Sequence, residues 1–100
     1  MNSAPSEKSS VPTASEKHRN FVSEPMGDKG VADLAGIDAN LGMTLKEKGF
    51  DKASMILGQF LVKGRSKDAF VSWLMDTSGA KSEQAENCYQ CLNDWCREFM

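Results

Sequence analysis

Leu34-Ala35-Gly36-Ile37-Asp38 runs directly into Ala39 to Lys48, a stretch with helical spacing that Gly49 stops. An apolar residue, a glycine, an apolar residue and then an N-cap is the pattern of a tight turn that delivers the chain into a helix N-terminus. Gly36 permits the positive φ or close backbone approach that such a turn needs. Asp38 stands at the cap position, where its carboxylate can accept from N–H groups two and three residues on. A turn of this kind is the centre of a helix-hairpin-helix element, and it offers backbone N–H groups to an anion. The usual form of that element carries a second glycine where this chain has Asp38.

Outward from the hairpin, every periodic stretch is helical. Leu41 and Leu45 stand at i, i+4, and Lys46, Lys48 and Gly49 form a C-terminal signature. Asp51 is the expected cap of a helix from Lys52 to Lys63, whose apolar set Ala53, Met55, Ile56, Leu57, Phe60, Leu61 and Val62 is too wide for one core face. Such a stripe predicts core on one side and a partner subunit on the other. Gly58, inside this helix, costs about 1 kcal/mol against Ala, and close helix approach would explain it. Ser66 caps a helix from Lys67 to about Thr77 that Gly79 closes. Ser82 is the expected cap of the last helix, where Ala85, Cys88, Tyr89, Leu92, Trp95, Cys96 and Phe99 form the cleanest amphipathic pattern in the chain.

N-terminal to the hairpin, Ser15 is the expected cap of a first helix ending near Glu24, before Pro25. Lys17, His18 and Arg19 make its start the most basic spot in the sequence. They read equally as a phosphate-holding cluster or as a solvated helix start, because three consecutive helical residues span nearly a full turn. Pro25 to Gly30 is a loop, and Val31 to Leu34 a short helix. Residues 1–14 are mostly Ser, Thr, Pro and Asn, with little to bury, and read as a disordered tail. Since no period-two run occurs, the expectation is an all-α fold over residues 15–100: a compact bundle of about five to six short helices containing the helix-hairpin-helix.

One hundred residues with 40% hydrophobic content suit one small domain. A formal net charge of −2 supplies no global basic field, so nucleic-acid binding would have to rest on a local patch. No apolar run approaches the roughly 20 residues of a membrane span, and the N-terminus lacks the apolar core of a signal peptide. A soluble, unsecreted protein is expected, with no membrane insertion. Cys88, Cys91 and Cys96 are too few and odd in number for a disulfide framework. Cys88-x-x-Cys91, with His18 as a further ligand, invites a metal reading. The cysteines fall on or beside an apolar helix stripe, where Cys behaves as a small hydrophobe, so no metal or other cofactor is expected. The only histidine sits at a helix start among like charges, and no phosphate loop or nucleophile elbow is present. An enzyme is not expected.

Several separated motifs together carry a family resemblance: Lys17-His18-Arg19-Asn20-Phe21-Val22, Glu24-Pro25-Met26-Gly27, Leu34-Ala35-Gly36-Ile37, Gly49-Phe50-Asp51-Lys52-Ala53, Leu57-Gly58-Gln59-Phe60-Leu61-Val62 and Cys88-Tyr89-x-Cys91-Leu92-x-x-Trp95-Cys96. In this order and spacing the chain closely resembles the barrier-to-autointegration factor family, from about Ser15 to Met100. The resemblance implies a helical homodimer in the nucleus, at chromatin and the nuclear envelope, and also in the cytoplasm. Each subunit would hold double-stranded DNA through its hairpin, so that the dimer bridges duplexes, and LEM-domain proteins, lamins and histones are the implied partners. By position, Lys17 matches a DNA-contacting lysine, and Ala35, Gly36, Ile37 and Leu41 match the hairpin and the start of its helix. Gly58, with its neighbours Gln59 and Phe60, matches the dimer and partner region. Thr13 and Ser15 fall where the family is phosphorylated, a modification that releases DNA.

Three positions depart from that pattern, all toward negative charge. Asp38 replaces the second hairpin glycine, and Glu83 and Glu86 replace basic residues at the start of the last helix. As helix pieces these residues are harmless, since Asp38 is a good cap and acids suit a first turn. Against phosphate they are costly, because Asp38 competes for the amides and each lost contact removes about 0.9 from the salt slope. The expected function is therefore sequence-independent duplex binding, weakened relative to the family. The alternative is a paralogue that has given up DNA and works by dimerising, with itself or a related subunit, or by occupying LEM-domain partners.

Overall fold

The computed structural model describes residues 14–100, with side-chain detail from Glu16 onward. It contains five α-helices: α1 (Ala14–Val22), α2 (Ala39–Glu47), α3 (Ala53–Val62), α4 (Lys67–Ser78) and α5 (Ser82–Phe99), with a single 3-10 turn at Val31–Asp33. The all-α expectation holds, and the only β-type pairing among the described residues is an isolated bridge between Gly30 and Lys52. No helix of the described residues is long and apolar enough to cross a membrane. Of the tail expected over residues 1–14, residues 1–13 lie outside the described residues, and Ala14 is the first residue of α1.

Helix α5 is the longest element and serves as the floor of the bundle, with α1 and α4 packed along it. Its buried residues Ala85, Cys88, Cys91, Leu92, Trp95 and Cys96 repeat at three- and four-residue intervals, which keeps one stripe facing the other helices. Phe21 from α1, Phe60 from α3 and Phe70 and Leu74 from α4 are buried against that stripe. Each large apolar side chain removed from water contributes about 1.5–3 kcal/mol. Phe60 and Phe70 meet edge to face at 5.7 Å, a favoured aromatic geometry.

Helix ends are set by a mixture of local and distant groups. Ser66 caps α4 as expected, its hydroxyl accepting from the Ala69 N–H. At the end of α2, Gly49 has φ +94 and donates to the Lys46 carbonyl while Phe50 N–H reaches back to Leu45. That double bond is a Schellman stop, and the positive φ explains the glycine. Three expected caps are displaced. Helix α1 begins at Ala14, which puts Ser15 inside its first turn, and it ends at Val22, short of Glu24. Asp51 does not cap α3, because the orphan Ala53 N–H is taken by the Lys29 carbonyl across the Gly30–Lys52 bridge. Ser82 is the first residue of α5, and Gln84 caps from inside by accepting the Lys81 N–H at 2.9 Å.

His18 is the other correction. Its Nε2 lies 2.9 Å from an Asp94 carboxylate oxygen on α5, so the residue ties α1 to the floor rather than standing among like charges. The Trp95 indole N–H donates to the Glu24 carbonyl, which secures the chain just after α1. The three cysteines are free and buried, as the packed reading required. Burial pushes the Cys88 thiol well up and the Cys91 thiol to about 11, the Ala35 backbone hydrogen bond opposing the latter rise only in part.

Two measurements check this packing. Because the native state holds the Cys88 and Cys91 protons above the ordinary thiol range, the unfolded chain loses protons first as pH rises past about 9, so unfolding free energy falls from there toward pH 11. Urea titrations across that window should show it, and substituting Ser or Ala at both cysteines should flatten the decline. Gly36→Ala should lower stability by roughly 2–4 kcal/mol at fixed protein concentration, since a Cβ there combines a left-handed backbone with a backbone clash.

Candidate functional site

Geometry at the hairpin begins with a glycine that cannot be replaced. Gly36 has φ +85, and a Cβ built on it would lie 2.2 Å from the Gln84 carbonyl oxygen and 3.2 Å from Asn87 Cβ. The turn is therefore seated directly on the first two turns of α5. Ile37 N–H closes the turn on the Leu34 carbonyl at 3.2 Å. Leu34, Ala35 and Ile37 are buried, which anchors the turn from below. A second close approach fixes α2 itself, where the missing Cβ of Gly42 would meet Ala32 Cβ at 3.3 Å.

Asp38 is exposed, with extended backbone, and caps α2 as expected. Its Oδ1 accepts the Leu41 N–H at 2.8 Å, and its backbone carbonyl accepts the Gly42 N–H at 2.8 Å. Oδ2 receives the Gln84 side-chain amide at 3.4 Å. Gln84 thus links the N-termini of α2 and α5, and nothing in its local sequence context announces it beyond a favourable N3 position. Asp38, Ala39 and Asn40 N–H groups have no acceptor among the described residues, and all three residues are exposed. The turn therefore leaves three amides without an acceptor, on exposed residues at a helix N-terminus, where the helix dipole favours negative charge.

Candidate residues divide sharply by what they can present. Ala35, Ile37 and Leu41 are core side chains, and the Leu41 amide is already spent on Asp38. Lys17, half-buried on α1, turns its ammonium to two backbone carbonyls, Ala32 at 2.8 Å and Ile37 at 2.6 Å. It is brought to the hairpin, but as a clamp on backbone. Glu83 and Glu86 are exposed and flank Gln84 in sequence at the start of α5, the helix whose Gln84 reaches Asp38. Six of the twelve Lys and Arg residues lie between Lys46 and Lys67, beyond the N-terminal half of α2 and away from the turn in sequence.

The residues expected at a partner surface are not all exposed in the chain. Phe60 is completely buried in the chain's own core, against Phe70 and Tyr89. Gly58 is half-buried with nothing within 4 Å of its Cβ position, so the close helix approach expected for it is not made within the described chain. Gln59 is half-buried and accepts from the Lys63 ammonium. Around them Met55, Leu61 and Val62 remain exposed, Val62 at 78%. Thr13 lies outside the described residues, and Ser15 is in the first turn of α1. No group of His, Cys, Asp or Glu among the described residues is arranged to hold a metal ion.

Comparison with known proteins adds what geometry leaves open. The sequence profile described as Barrier to autointegration factor matches residues 12–99. The human protein of that name is 53% identical over 88 residues, which is 88% of this chain and 99% of that one. The Drosophila melanogaster protein is 54% identical over 86 residues, 86% of this chain and 96% of the relative. Barrier-to-autointegration factor B of Xenopus laevis is 51% identical over 88 residues, covering 88% and 98%.

The capping role of Asp38 is separable from its charge. Asp38→Ala should cost about 1 kcal/mol by leaving the Leu41 N–H without its acceptor, whereas Asp38→Asn should stay within about 0.5 kcal/mol of the parent. Urea unfolding of the two variants checks this.

Proposed function

The chain belongs to the barrier-to-autointegration factor family, and on that premise we propose that it is a non-enzymatic nuclear protein that binds double-stranded DNA without sequence preference through the hairpin. The observation that carries the proposal is the set of exposed amides at Asp38, Ala39 and Asn40, held at a helix N-terminus by a turn that only glycine allows. Backbone amides read phosphate and sugar rather than base edges, so the contact positions a duplex without choosing its sequence.

Affinity at this site is reduced. Asp38 sets a carboxylate beside the amides it leaves open, and Glu83 and Glu86 add negative charge on the neighbouring helix end. Phosphate approaching the turn meets repulsion as well as donors, and the balance depends on salt. The apolar side of α3, with exposed Met55, Leu61 and Val62 and half-buried Leu57 and Gly58, is the dimer surface. A dimer carries two hairpins and bridges two duplexes, and chromatin and the nuclear envelope are where LEM-domain proteins, lamins and histones would be met. One observation favours a second reading: the carboxylate of Asp38 already occupies the Leu41 amide, which is what a subunit that had given up DNA would look like.

A titration of random duplex DNA at low and moderate salt, with sedimentation of the same samples, separates the two. The first reading expects low-salt binding that weakens steeply with salt, and Asp38→Gly combined with Glu86→Arg strengthens it at least tenfold. Dimerisation without binding at any salt selects the second reading. Binding indifferent to the double substitution removes Asp38 and Glu86 from the DNA face.

A further inference from the structure

Lys17 is matched by resemblance to a lysine that touches DNA, yet its ammonium is committed elsewhere. It donates to the Ala32 carbonyl at 2.8 Å and to the Ile37 carbonyl at 2.6 Å, 15 and 20 residues away in the chain. Both bonds are charge-assisted and partly buried, the class in which a protein hydrogen bond is strongest. An ammonium has three donors, so only one is left. Transferring it to a phosphate would strip two hairpin carbonyls of their partner.

The two carbonyls belong to peptides with different fates. The N–H paired with the Ala32 carbonyl is that of Asp33, which is spent on the Gly30 carbonyl at 3.0 Å. The N–H paired with the Ile37 carbonyl is that of Asp38, one of the three amides without an acceptor. A cation on the oxygen of a peptide withdraws electron density from its nitrogen and strengthens the N–H as a donor, as in any hydrogen-bonded chain. The plane of that peptide is also fixed, with its oxygen turned in toward Lys17 and its N–H turned away. Of the three hairpin amides without an acceptor, Asp38 is the one whose carbonyl partner is held by a cation, since the carbonyl paired with the Ala39 N–H is bonded to the neutral Gly42 amide.

We propose that Lys17 is a positioning residue for the anion site: it acts on phosphate through the Ile37–Asp38 peptide, which it orients and polarises, and does not itself contact the nucleic acid. This rests on the hairpin being the duplex site. It also explains how the turn keeps a usable donor beside the Asp38 carboxylate, whose repulsion is partly offset by a fixed positive charge on the inner side of the same peptide.

Two nuclear magnetic resonance measurements test it. In the free protein, Lys17→Met should move the Asp38 amide proton upfield and speed its exchange, with core amides such as that of Leu92 unchanged. An Asp38 amide that does not respond overturns the polarisation, whatever the protein does with DNA. In the wild-type protein, the scalar coupling across the hydrogen bond from Lys17 Nζ to the Ile37 carbonyl carbon should persist when a short duplex is added. Its disappearance on adding duplex overturns the proposal, since the ammonium would then have moved to phosphate. Salt titrations give the same distinction: Lys17→Met lowers affinity about tenfold with an unchanged slope, whereas a lost direct contact reduces the slope by about 0.9. If wild type binds no duplex at any salt, the reading of the site fails while the Asp38 amide still decides the role of Lys17. If Lys17→Met does not fold, the wild-type coupling decides it.

Discussion

The hairpin depends on a contact that only the absence of a side chain allows: the Gly36 backbone lies against the Gln84 carbonyl at a distance where any Cβ would overlap it. That approach does two things at once. It seats the turn on the start of α5, and it brings the N-termini of α2 and α5 side by side, joined by the Gln84 amide on the Asp38 carboxylate. Leu34, Ala35 and Ile37 sink into the core beneath, so the turn is held from below by apolar packing and from the side by backbone. A loop this constrained loses little conformational entropy on binding, which is the condition for a surface of backbone amides to hold an anion usefully.

Around that contact, charge is arranged in layers. Inside the turn is one cation, the Lys17 ammonium, facing carbonyl oxygens. Outside it are the open amides of Asp38, Ala39 and Asn40 with the Asp38 carboxylate beside them, and Glu83 and Glu86 are exposed on the neighbouring start of α5. Asp38 therefore has two opposed effects in one residue, since its side chain satisfies the Leu41 amide and stabilises α2 while its charge stands where a phosphate would come. Stability of the helix and affinity of the proposed site pull in opposite directions at this position. A glycine would release the amide and give up the cap.

Helix α1 is positioned by polar links as well as by packing. His18 reaches Asp94, Lys17 reaches the hairpin, and Trp95 holds the Glu24 carbonyl just past the helix end. The basic triplet is thus divided by the helical turn: Lys17 and His18 look toward different elements, and Arg19 is exposed. The apolar stripe of α3 is divided in the same way. Ala53, Ile56 and Phe60 enter the core, and Met55, Leu61 and Val62 are left to solvent in the single chain. An apolar surface of that kind on a small domain is where a second subunit would be sought.

Helical periodicity, the glycine stops and the spacing of the hairpin motif were enough to establish the all-α fold, the order of its helices, the cap at Asp38 and the burial of the cysteines, because each depends on residues within a few positions of one another. Family membership was legible for the same reason, as a set of short motifs in order. The destination of a long side chain was not, since it depends on which distant backbone atoms the fold brings within reach. Only the tertiary structure put Lys17 on the Ala32 and Ile37 carbonyls, His18 on Asp94, Gln84 between two helix starts and Phe60 inside rather than at a partner surface. The caps expected of Asp51 and Ser82 were not made: the orphan Ala53 amide takes the Lys29 carbonyl across a bridge, and α5 starts one residue early, its Ala85 amide on the Lys81 carbonyl.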